Sequence, residues 1–374
     1  LTATPHNGYT ESFTSLLELL DDQRFARNIL PDEKQLSQVM IRRLKSDLVD
    51  AEGKLLYAQR TLHALDVAYT NEERRAHQRL DEFCASRESD AGNTGGAFGT
   101  SFVNQLLKKR LFSSPAAFAS TLEKHIASLA DGSHRKEKDA MAERILRKAI
   151  LRVDEDYADD EDVERAQLEA VEEVSRRAVP LSAEQKLTLA ELRQWAQQAK
   201  NRVDSKAQAV LDWLSANLRP GGKWNDRRVI LFTEYRTTQQ WMQEILVSHD
   251  FGVDRLAILH GGIDQDDREK IKAAFQASPK DSAVRILLAT DAASEGIDLQ
   301  NHCNCLIHLE IPYNPNVMEQ RNGRIDRHGQ RQKEVLIWHP VDGGDQGNVS
   351  VGGHGEDIIR ALRKLELMRA DMGS

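Results

Sequence analysis

The feature that most limits how this chain can fold is a rhythm in its second half. Five short apolar runs recur there: "VILF" (229–232), "LAIL" (256–259), "VRILLA" (284–289), "CLIHL" (305–309) and "VLIWH" (335–339). Between them, stretches near 237–248, 264–276 and 315–328 carry apolar residues at helical spacing. Strand alternating with helix predicts a parallel sheet covered on both faces. Right-handed crossovers then bring the C-terminal ends of the strands to one edge, where ligands bind in such sheets. The expected fold class is α/β, a doubly wound parallel sheet over 204–345.

The rest of the chain has a different texture. Residues 1–55 read as a strand end, "LTATP", a turn at Asn7-Gly8 and then helices; "ESFTSLLELLDD" has mostly helical spacing. "LHALDVAY" (62–69) reads as a strand. Asn71 is the expected N-cap of the helix that follows. The Gly-rich "DAGNTGGAFGT" (90–100) reads as a loop, "DAMAERILRKAILRV" as helix, and 182–203 again as helix. "DEDYADDEDVE" (154–164) reads as a solvated or disordered acidic face. The helix opened by Asp204 or Ser205 closes at Pro220-Gly221-Gly222. The expected domains are 1–55, a remnant of a first lobe; 56–203, a helical insertion; 204–345, the sheet; and 346–374, an extension with a helix.

Composition excludes several classes. The 374 residues are 40% hydrophobic and 29% charged, with a net charge of −8. No apolar run reaches the roughly 18 residues that span a bilayer. The acidic balance excludes a surface coated in basic charge but leaves room for a local basic groove. Cys84, Cys303 and Cys305 match no zinc-site spacing and read as buried reduced thiols of a cytoplasmic protein. No metal site is expected within these residues.

Small, polar and glycine residues follow each strand. They are Tyr235 and Arg236 after the first, His260 and Gly261 after the second, and Thr290 through Gly296 and Asp298 after the third. Glycines and successive N–H groups suit the approach of an anion. After the fourth strand comes "QRNGRIDRHGQ" (320–330), with Arg331 next. On a continuous helix, Gln320, Arg324 and Arg327 would share one face and Arg321 would lie to the side. Two guanidiniums one turn apart call for an anion; the alternative is surface pairing with Asp326, Asp298 or Glu319.

These stretches resemble the motifs of superfamily-two helicases. "LTATPHN" resembles the third motif, "LFTEYRTT" the fourth, and 290–299 with "QRNGRIDRHGQ" the last two. "IRRLKSDL" (41–48) and the closing "GQ" (329–330) resemble the Swi/Snf-type ATPases. Within these, "TATPHNG" and the arginine stretch look like bacterial members, the RapA group and the helicase of the DISARM phage-defence system, with the latter favoured. The resemblance implies RecA-like lobes with ATP and Mg²⁺ in the cleft between them. It makes Arg324 and Arg327 arginine fingers, typically worth about 10³–10⁵ in rate. Gln320 would order the site around the attacking water, and Gly296 and Asp298 would lie at the nucleotide. Thr2 and Thr4 would couple nucleotide to nucleic acid. Tyr235, Arg236, His260, Gly261 and Thr290 would hold double-stranded DNA by its phosphates.

"LLKKRLFSSP" (106–115) faintly resembles the family's basic segment; Lys108, Lys109 and Arg110 would be a second basic contact or an ordinary solvated face. No G-x-x-x-x-G-K-[ST] stretch occurs, because Gly53-Lys54 and Gly222-Lys223 are followed by Leu and Trp. The chain is therefore expected to start inside the first lobe and to be inactive alone. Two alternatives are a non-catalytic nucleic-acid-binding module and a protein-interaction arm over 70–203.

Overall fold

The structure is a computed structural model that describes residues 10–41, 45, 48–53, 55–92, 97–130, 160–291, 297–312 and 315–342, with the backbone alone at 315 and 316. Thr2, Thr4, Gly296, the Asn7-Gly8 turn, the helix expected near 139–153 and the extension at 346–374 lie outside the described residues.

Six strands form one sheet: β1 (Gln59–Val67), β2 (Val229–Thr233), β3 (Leu256–Leu259), β4 (Ile286–Thr290), β5 (Cys305–His308) and β6 (Glu334–Asp342). Their order is β1-β6-β5-β2-β4-β3, and every pairing is parallel. The α/β expectation holds. The central strands are apolar throughout because both faces are covered. Alternate residues go to opposite sides. Val229, Leu231, Ile286, Leu288 and Ile307 enter one cluster, and Ile230, Phe232, Leu287, Leu306 and Ile337 enter the other.

Helices α1 (Thr10–Leu20) and α2 (Glu33–Val39) share a small core of Phe13, Leu17, Phe25 and Leu36. A helical unit follows: α3 (Asn71–Gly92), α4 (Ala97–Ser113), α5 (Pro115–Ala130), α6 (Asp160–Arg177) and α7 (Ala183–Ala199). Leu80, Leu107, Phe118, Leu122, Val171 and Leu192 fill its interior. Burying each such side chain favours the fold by about 1.5–3 kcal/mol. Helices α8 (Ser205–Leu218) and α9 (Arg236–Ser248) cover one sheet face. Phe275 of α10 (Gln265–Gln276) joins the cluster on the other. Of the two openers read from the sequence, Asp204 is the cap of α8, accepting from the Ala207 N–H at 2.7 Å. After α8, Gly221 (φ 62°) and Gly222 (φ 80°) supply the left-handed turn.

Several local readings are corrected. The strand expected at 62–69 spans 59–67 and pairs along its whole length with β6, so the sheet recruits a strand from the region read as insertion. The cap of α3 is Thr70, not Asn71. The Thr70 hydroxyl accepts from the Glu73 N–H at 3.2 Å, and the Glu73 carboxylate accepts from the Thr70 N–H at 2.7 Å. Helix α11 (Pro315–Asn322) stops six residues short of the expected end at 328. The acidic run is solvated only in part where it is described, at Glu161 and Asp162. Asp160 and Glu164 are buried, and 154–159 lie outside the described residues. All three cysteines are free and buried; burial pushes the Cys84 and Cys303 thiols up to about 12.

Candidate functional site

The early stop of α11 separates the arginines. Arg321 is in the helix and 1% exposed. Its guanidinium donates to both Asp291 oxygens, at 2.5 and 2.8 Å, and lies 3.6 Å from Glu310. Burial alone would lower its pKa; Asp291, then Glu310 and Glu234, outweigh that and hold it above the ordinary value. Glu310, which ends the β5 segment, accepts from the Thr233 hydroxyl at 3.0 Å and from the Glu234 N–H. Burial pushes its carboxyl up. These contacts tie the ends of β2, β4 and β5 to α11 through one buried cation.

Arg324 and Arg327 follow in a non-helical turn, so they do not share a helix face with the exposed Gln320. The turn is held from several sides. Ile325 is fully buried in the sheet cluster. Asp326 accepts from Arg60 of β1 at 2.6 and 2.9 Å and pairs with Lys45 at 3.0 Å; Arg60 also reaches Glu319 at 2.7 Å. The Gln330 amide donates to the carbonyls of Cys303 and Ile325, both at 2.9 Å, and Gly329 takes a φ of 86°. The Leu299 N–H donates to the Arg324 carbonyl at 3.1 Å. The held turn carries Arg324, partly exposed, and Arg327, which pairs with Asp298 at the surface. Of the surface partners weighed from sequence, Asp298 is the one Arg327 takes, while Asp326 and Glu319 serve Arg60.

Of the expected nucleic-acid residues, Tyr235, Arg236, Gly261 and Thr290 meet helices from the 70–203 region, and His260 beside them is half-buried. The Tyr235 ring is buried, with the Arg110 guanidinium 3.8 Å from its centroid. Arg236 opens α9, with its Nε 3.5 Å from Glu161. The Gly261 N–H donates to Asp160 at 3.0 Å, and the buried Thr290 hydroxyl donates to the same carboxylate. The basic triplet is not a solvated or nucleic-acid-facing patch. Arg110 is fully buried and donates to Glu164 and to Gln167 (2.8 Å); Lys109 pairs with Glu234 (3.3 Å) and Lys108 with Asp81 (2.6 Å).

Sequence reasoning missed Arg60, Asp160 and Glu164 as parts of this edge, and missed Asp291 as the partner of Arg321. Each partner is distant in the chain, and no local spacing signals the pairs. Among the described residues no group of three or more His, Cys, Asp or Glu could hold a metal ion, and no helix is long and apolar enough to cross a membrane.

This parallel sheet and its arginine turn allow the chain to be compared with known proteins. Residues 206–329 match the helicase conserved C-terminal domain. Over that stretch the chain is similar to ATP-dependent helicases and to the RapA group. It is 36% identical over 136 residues to the uncharacterized ATP-dependent helicase YqhH of Bacillus subtilis, covering 36% of this chain and 21% of that protein. It is 31% identical over 137 residues to the RNA polymerase-associated protein RapA of Yersinia enterocolitica, covering 37% of this chain and 13% of that protein. The chain thus matches only a minor part of these relatives' length. Among solved structures, the C-terminal part of the Fun30 ATPase domain aligns with a TM-score of 0.46 at 14% identity, covering 83% of this chain and 98% of that one.

Proposed function

We propose that this chain provides the second RecA-like lobe of a Swi/Snf-type ATP-dependent DNA translocase. The observation that carries the reading is the buried Arg321 anchor. It fixes the end of α11 beside the ends of β2, β4 and β5, and the turn that follows carries Arg324 and, paired with Asp298, Arg327. In that reading Arg324 and Arg327 stabilise charge on a transferring phosphoryl group, Gln320 orders the site, and Asp298 holds Arg327 until a nucleotide arrives. The residues fit half of a nucleotide site. They offer cationic side chains, but the sequence has no phosphate loop to cradle ATP and no acidic motif for Mg²⁺. ATP supplies the bond whose cleavage drives movement; this chain's residues contribute charge and position. Tyr235, Arg236, His260, Gly261 and Thr290 form the DNA track, and Thr2 and Thr4 couple the two.

Two measurements test this. The purified 374-residue chain is expected to show no DNA-stimulated ATP hydrolysis; robust turnover abolished by Arg324→Ala would overturn the half-site reading. In a longer protein carrying this chain together with a phosphate loop, Arg327→Ala is expected to remove hydrolysis by about 10³-fold or more while sparing nucleotide binding. Unchanged turnover there would sink the finger role. Within the class we assign the chain to phage defence in the cytoplasm, on the strength of "TATPHNG" and "QRNGRIDRHGQ". Deleting the gene is expected to raise phage plating efficiency; equal plating would remove that role.

A further inference from the structure

The first turn of α6 is acidic; Asp160 is buried against the sheet edge, while Glu161 is half-exposed and reaches the same edge from its rim. Asp160 accepts from the Gly261 N–H at 3.0 Å and from the Thr290 hydroxyl. Glu161 lies 3.5 Å from Arg236 Nε. One turn on, Glu164 accepts from the Thr237 N–H at 3.2 Å and the Thr237 hydroxyl at 2.6 Å, at the N-terminal end of α9. Backbone N–H groups at a helix start, hydroxyls and an arginine are the donors that hold phosphate oxygens without reading sequence. Three carboxylates on one short stretch thus take up donors from three separate strand-end segments. Two anionic groups cannot share such donors without strong repulsion, so a polyanion must displace the helix end to reach them.

We propose that the N-terminal turn of α6 is an internal gate. Asp160, Glu161 and Glu164 stand where DNA backbone phosphates are held, so duplex DNA binds only after that turn lifts. This inference rests on the reading of the edge as a DNA track. Glu164 has a second task, because the buried Arg110 depends on it. Asp160 and Glu161 are therefore the residues to change.

The test measures binding of a fluorescein-labelled mixed-sequence duplex to the 374-residue chain by anisotropy, across a salt titration. The double variant Asp160→Ala/Glu161→Ala is expected to bind about tenfold more tightly, the gain from removing a state that hides the site for about nine-tenths of the time. Asp226→Ala/Asp254→Ala, with the same charge change on exposed residues before β2 and β3, is expected to match the unaltered chain. Hydrogen exchange across 160–177 is expected to rise when duplex binds the unaltered chain. The gate is refuted if the double variant binds no better than the unaltered chain, if the control variant gains equally, or if the helix keeps its protection at saturating DNA. Failure of the DNA-track reading looks different: no chain shows salt-dependent binding that Arg236→Ala weakens.

Discussion

At the scale of single residues, the arginines of 320–330 divide by burial. Arg321, itself buried, neutralises the buried Glu310 and the part-buried Asp291, and its removal strands the Glu310 carboxylate in the interior. Breaking a buried pair by removing one partner typically costs about 3–5 kcal/mol. Arg321→Ala is therefore expected to lower the unfolding free energy by about that much in urea titrations. Arg327 is 44% exposed and its partner Asp298 is 56% exposed, so their pair contributes little. Arg327→Ala should fall within about 1 kcal/mol of the unaltered chain in the same titration. Equal losses for the two variants would contradict this division. The sequence showed which residues were arginines but not this split, because the deciding partner of Arg321 is Asp291, thirty positions upstream.

At the scale of elements, β2 to β6 were legible as apolar runs bounded by polar turns, with β2, β4 and β5 wholly buried and β3 and β6 partly so. β1 was harder to read. It is an edge strand that carries Arg60 and His63 and exposes Leu62, so its pattern is mixed and its partner lies at the far end of the chain. The length of α11 was misread for a tertiary reason. Beyond Asn322 the helical pattern persists in sequence, but burial of Ile325 and the grip of Arg60 and Lys45 on Asp326 favour a turn over another helical turn. Arg60→Ala removes most of that grip. Amides from 323 to 330 are then expected to exchange faster, while those of β2 and β4 keep their protection. Unchanged exchange in the turn would show that Ile325 and Gln330 hold it alone. The donors at the strand ends were also legible, as small and polar residues in order. The acidic helix lying over them was not, because nothing in an acidic run indicates what it will dock against.

At the scale of the whole molecule, pH acts on both the helical unit and the sheet. Burial depresses His125 to about 4 and His339 to about 4, and holds His308 well below its ordinary value, with His339 stacked 4.6 Å from it. A group with a depressed folded pKa lends stability above its unfolded value, which is lost as pH falls through the folded one. Asp204, pushed up by burial to about 6, works the other way and favours the fold as pH drops toward its unfolded value. Burial raises the Asp291 and Glu310 carboxyls as well, but four depressed histidines, His302 included, against these three carboxyls still predict a net loss. The Tm should fall by several degrees between about pH 7 and about pH 5, and His125→Gln should flatten the slope. A Tm that holds or rises over that interval would contradict the assignment. The pairing of β1 with β6 bears on how the molecule is made. Gln59 leaves the ribosome long before its neighbour Glu334 exists, so the central strands must assemble with one edge waiting. Closing so long a loop is slow, and until then β6 presents a bare row of N–H and C=O groups. The strand that steadies the arginine turn thus has no partner until the end of the sheet is made, and until then it is open to exchange between two newly made copies.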